Sequence, residues 1–66
     1  MNVKFPEITV ELTGRDGNAF AILGTVIKAL KRAGVPADAI DEFSSKAKSG
    51  DYDNLLATVL ATVTVI

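Results

Sequence analysis

Leu12-Thr13-Gly14-Arg15-Asp16-Gly17-Asn18-Ala19-Phe20 is the stretch on which the fold turns. Upstream of it, from Glu7 to Thr13, Ile8, Val10 and Leu12 point one way and Glu7, Thr9, Glu11 and Thr13 the other. That alternation specifies a strand with one buried and one wet face. Pro6 stands at its start, where a missing N–H does least harm. Downstream the period changes. From Asn18 to Ala33, Phe20, Leu23, Ile27 and Leu30 recur at helical spacing, and Ile22, Val26 and Ala29 broaden the stripe. A helix apolar over most of its girth is buried on more than one side, and Phe20 is assigned to its core face. Gly24 costs about 1 kcal/mol against Ala in a helix interior, and reads as a point of close approach by a neighbour. Lys28, Lys31 and Arg32 gather in the last turns, where cations complement the helix dipole. Gly34 suits the position just past the helix end, and Pro36 prevents its continuation.

The remaining chain reads as two further helices and a strand. Pro36 fits the first position of a helix running to about Lys48. Asp38, Asp41 and Glu42 lie early in it and Lys46 and Lys48 late, with Glu42 and Lys46 at the spacing of a helical ion pair. Ile40, Phe43 and Ala47 form a narrow apolar stripe, and Ser49-Gly50 ends the helix. Asp51 or Asp53 caps a third helix carrying Leu55, Leu56, Val59, Leu60 and Val63. Thr62-Val63-Thr64-Val65-Ile66 is β-branched throughout and reads as a strand. The expected architecture is α+β: one domain over residues 1–66, β-α-α-α-β, with a small sheet formed by the N- and C-terminal strands. Two strands alone are marginal in water, and their edges are open to extension by another copy.

Composition narrows the classes of function. A chain of 66 residues buries only about 60% of the surface its unfolded form exposes. It contains neither Cys nor His. Disulfides and thiolate metal sites are excluded, and the commonest general base and metal ligand are missing. The hydrophobic fraction is 48% and the charged fraction 23%, with a mean hydropathy of +0.32. That is a globular composition rather than a disordered one. A net charge of −1 offers no basic field for nucleic acid or an anionic membrane. No apolar segment reaches the roughly 20 residues of a bilayer span, and no apolar stretch follows Lys4 as a signal peptide requires. A cytoplasmic protein is the expectation.

Three clusters are candidate sites. Arg15, Asp16, Gly17 and Asn18 open the central helix, whose N–H groups and dipole suit an anion, with Arg15 adding a fork of donors. The Gly14-x-x-Gly17 spacing matches neither the P-loop nor the dinucleotide fingerprint. The competing reading is a tight turn, with Gly17 supplying an unusual backbone angle and Asp16 or Asn18 capping the helix. Asp51 and Asp53, with Asp38, Asp41 and Glu42, superficially suggest Ca²⁺, but the glycine and terminal glutamate of a Ca²⁺ loop are missing. Lys28, Lys31 and Arg32, joined by Lys46 and Lys48, read as helix-end solvation rather than a nucleic-acid surface. Tyr52 is expected to pack in the core with its hydroxyl at the surface. Ser and Thr are present with nothing to activate them.

Several motifs together resemble a known set of sequences. Pro6-Glu7-Ile8 through Leu12, Gly14-x-Asp16-Gly17-Asn18-Ala19-Phe20 and Arg32-Ala33-Gly34-Val35 carry the first half of the resemblance. Ile40-Asp41-Glu42-Phe43 and Ser49-Gly50-Asp51-Tyr52-Asp53-x-Leu55-Leu56 carry the second. The pattern is similar to that of a group of very short bacterial and phage proteins of no known function, over almost the whole chain, and it implies no activity. That group has an aromatic and basic segment before the last strand. Here Thr58 to Val63 is uncharged and has no aromatic residue.

The expected function is a small, non-enzymatic protein-interaction or self-associating module, needing no cofactor or metal. Its expected partner is a second copy or another protein, not nucleic acid or a membrane. The alternative is a binder of a small anion or nucleotide at the Gly14–Asn18 loop and the start of the following helix.

Overall fold

The computed structural model describes residues 3–12 and 18–66. The alternation centred on Val10 forms strand β1 (Phe5–Val10), and the helical periods form α1 (Ala19–Arg32), α2 (Ala37–Lys48) and α3 (Tyr52–Thr62). Strand β2 (Val63–Val65) completes the α+β order β-α-α-α-β. β1 and β2 pair in parallel as a two-stranded sheet. Parallel strands cannot be joined by a tight turn, and here the three helices make the crossover. No helix among the described residues is long and apolar enough to cross a membrane.

The strand begins two residues earlier than the alternation suggests and takes in Pro6. The register explains why a proline is tolerated there. Phe5 pairs with Val63 and Thr9 with Thr64, so Pro6, Glu7 and Ile8 have no counterparts in β2. A proline in such an irregularity removes no ladder bond. The Thr64 hydroxyl donates to the Pro6 carbonyl at 2.8 Å and bridges the gap. Beyond Val65 the pairing continues: the Ile66 N–H donates to the Val10 carbonyl at 3.0 Å, and the Leu12 N–H to the Ile66 carbonyl at 3.2 Å.

α1 packs against β1, α2 and α3. Its buried residues are Ile22, Leu23, Val26 and Leu30, so the core face lies to one side of the Phe20–Leu23–Ile27–Leu30 stripe. Phe20 falls on the flank and is 80% exposed. Its assignment to the core is corrected: the neighbours of α1 cover the Ile22–Val26 side instead. The core proper joins Ile8 and Val10 of β1 and the buried face of α1 to Ile40, Phe43, Ala47, Leu55, Val59 and Val63. Burying each Val, Leu, Ile or Phe side chain among these contributes about 1.5–3 kcal/mol.

The helix ends follow local chemistry. The Asn18 side chain accepts the Phe20 N–H at 2.8 Å and caps α1. At the other end, Gly34 adopts φ 85°, a backbone conformation that glycine reaches without strain. The Gly34 N–H reaches the Lys31 carbonyl and the Val35 N–H the Leu30 carbonyl, both at 3.1 Å, which is the Schellman arrangement. Pro36 then caps α2 rather than starting it. Its ψ of 148° is extended, and its carbonyl takes the Ile40 N–H. Glu42 pairs with Lys4 at 3.5 Å, not with Lys46. Asp51, rather than Asp53, caps α3.

α3 passes into β2 without a linker. Thr58 and Thr62 donate their hydroxyls to the carbonyls of Asn54 and Thr58 at 2.8 and 2.7 Å. This back-bonding gives both hydroxyls a helical partner. Val63 turns extended at φ −132°, while its N–H still reaches the Val59 carbonyl.

Gly24 differs from expectation. It is exposed, and a Cβ built on it meets nothing within 4 Å. Among the described residues no neighbour approaches, so the glycine brings α1 only its conformational freedom. Gly24→Ala is expected to stabilise the fold by about 1 kcal/mol. In thermal unfolding that raises Tm by about 4–8 °C; an unchanged or lower Tm would show that Gly24 has a packing role.

Candidate functional site

Of the expected ligand-binding residues, Arg15, Asp16 and Gly17 lie outside the described residues. Asn18 is described, and its carboxamide oxygen takes the Phe20 N–H. That donor of the helix start is therefore committed within the chain rather than offered to an external anion.

One turn further on, the first turn of α1, the end of α2 and the first turn of α3 enclose an open hollow of about 350 Å³. Phe20, Leu23, Ala47, Tyr52 and Leu55 give it apolar walls, and Lys48 and Asp51 stand at its polar margin. Phe20 at 80% and Tyr52 at 43% exposure form its aromatic rim. Tyr52 is thus not the core residue the sequence suggests. It sits in the first turn of α3, just past the capping residue.

The corner from α2 to α3 holds that rim in place. The Asn54 side-chain amide donates to the Lys46 carbonyl at 2.9 Å, and the Ser49 hydroxyl donates to the same carbonyl at 2.7 Å. The Asn54 N–H in turn donates to the Asp51 carboxylate at 3.0 Å. One residue therefore ties the unsatisfied end of α2 to the start of α3. Gly50 permits the approach: a Cβ there would lie 3.0 Å from the Asn54 Cβ.

Among the described residues the basic side chains do not converge. Lys28 and Arg32 line a polar groove between α1 and the outer edge of β1, with Thr9, Glu11 and Thr25. Lys31 lies by a different hollow with Val35, Ile40 and Asp41, and Lys46 stands with Lys4 and Glu42. The acidic residues are likewise dispersed: among the described residues no group of three is placed to share a metal ion.

Outside the hollow, two more large hydrophobic side chains are exposed, Leu60 at 55% and Ile66 at 60%. Leu60 lies on the helical stripe of the sequence, yet it is exposed. Its only sequence signal is the uncharged run from Asn54 to Ile66, which leaves α3 without a charged side chain after Asp53. No protein-family model, curated protein or solved structure matches the chain.

Proposed function

We propose that this protein is a non-enzymatic interaction module that associates with itself in the cytoplasm. The observation that carries this reading is the exposure of Phe20, Leu60 and Ile66 by a chain whose core contains only twelve buried hydrophobic residues among those described. A small domain gains stability by covering such side chains against a partner. The sheet supports the same reading. It has two strands and no third among the described residues, and so small a sheet is marginal by itself. The hollow supports it too, since apolar walls supply contact area rather than polar groups that converge on a substrate.

Sedimentation equilibrium over a wide concentration range tests the reading. The expected result is a weight-average mass that rises from the 6.9 kDa of one chain toward twice that value. A single-chain mass at every concentration would overturn it.

A further inference from the structure

The end of β1 turns unused main-chain groups toward a groove. Ile66 donates to the Val10 carbonyl and accepts the Leu12 N–H, so the main-chain groups of Val10 and Leu12 point to β2. These groups alternate in direction along a strand, which turns the N–H and C=O of Thr9 and Glu11 to the other side. Among the described residues no third strand lies there, and neither residue has a main-chain hydrogen bond outside the ladder. What lies beside them is the groove of about 350 Å³ between β1 and α1. Thr9, Val10 and Glu11 wall it on one side, and Thr25, Lys28 and Arg32 on the other.

The α1 wall is positive. Lys28 and Arg32 are exposed, and α1 contains no acidic residue. Among the described residues neither cation has an ion-pair partner; the pair that forms is Lys4 with Glu42. Glu11 borders the groove but does not neutralise it. Its side chain alternates with the buried Val10 and points to the solvent face of the sheet, away from the helices. Lys28 and Arg32 stand four residues apart, about 6 Å along the helix axis. Alternate side chains of an extended chain are about 7 Å apart. The two spacings match.

We infer that this groove takes an extended acidic segment of another protein, which adds to the edge of β1 as a third strand. Its main chain bonds to the Thr9 and Glu11 groups, and two carboxylates spaced two residues apart reach Lys28 and Arg32. A second copy of this chain is not the occupant. Its one pair of acidic residues two apart is Asp51 and Asp53, and those belong to the cap and first turn of α3 rather than to a strand. The contact therefore does not rest on self-association.

The probe is the end-blocked peptide Thr-Val-Glu-Val-Glu-Val-Thr, titrated into the isotope-labelled chain and followed by amide shifts. Saturable shifts are expected at Thr9, Glu11 and the Lys28–Arg32 turn, with slower hydrogen exchange at the Thr9 and Glu11 amides. Binding is expected to weaken as salt rises to about 0.5 M. The same peptide with Lys for Glu is expected not to bind. Joint replacement Lys28→Gln and Arg32→Gln keeps good helix formers at exposed positions, and circular dichroism checks that the fold is retained. This variant is expected to bind about fivefold more weakly or less. No shift with the glutamate peptide, equal affinity for the lysine peptide, or equal affinity in the folded double variant overturns the proposal. Shifts confined to the Phe20 and Tyr52 hollow overturn it as well, as does binding that leaves Thr9 and Glu11 exchange unslowed.

Discussion

Leu30→Ala is expected to leave the chain largely unfolded at room temperature. Leu30 is fully buried and lies on the face of α1 shared by the sheet and the other helices. Truncating a buried leucine costs about 2–5 kcal/mol, the larger figure where neighbours cannot collapse into the space. A core of this size rarely supplies more than about 3–5 kcal/mol in total. The two quantities are comparable, so one side chain decides whether the fold is populated. Circular dichroism with urea titration at low protein concentration measures it. Phe20→Ala on the same helix is the control, because an exposed position away from the core shifts stability by no more than about 0.5 kcal/mol. Equal urea midpoints for the two variants would mean that the core face of α1 has been misassigned.

The second large effect is at Val63, which is 1% exposed and opposite Phe5 in the sheet. Val63→Asp places a carboxylate among Ile8, Val10, Val59 and other apolar side chains. A buried charge without a partner costs several kcal/mol, beyond what this fold holds. Ile66→Asp is expected to change monomer stability by no more than about 0.5 kcal/mol, because Ile66 is exposed. The contrast is diagnostic of the strand. Were α3 to continue, residues 59, 63 and 66 would share one helix face and both substitutions would be severe. Thermal unfolding of the two variants distinguishes these cases, and equal losses would contradict the strand.

Much of this chain is written in short-range signals. The alternation of Ile8, Val10 and Leu12 makes a strand because its side-chain period is two, and no distant contact is needed to see it. Asn18 and Asp51 cap helices through N–H groups two and three residues ahead, and Gly34 ends one within its own turn. The candidate site was less legible. Only Asn18 of the four expected residues falls among those described, and it serves as a cap. The apolar hollow takes its walls from the start of α1 and from the α2–α3 corner, which are distant in sequence, and no spacing along one segment announces such a place. A phenylalanine at a helix start looks like core until the neighbours of that helix are known.

The order of elements and most of their ends were therefore determined by the sequence alone, because periodicity, capping and turn geometry act over a few residues. Tertiary structure decided three things. Packing of α1 against β1, α2 and α3 chose Ile22 and Val26 over Phe20. Pairing with β1 ended α3 at Thr62, since hydrogen bonds to Val10 and Leu12 compensate Ile66 for leaving the helix. The crossover through three helices set the strands parallel. Each depends on contacts between residues up to 58 positions apart, whose free energy exists only once the chain has closed on itself.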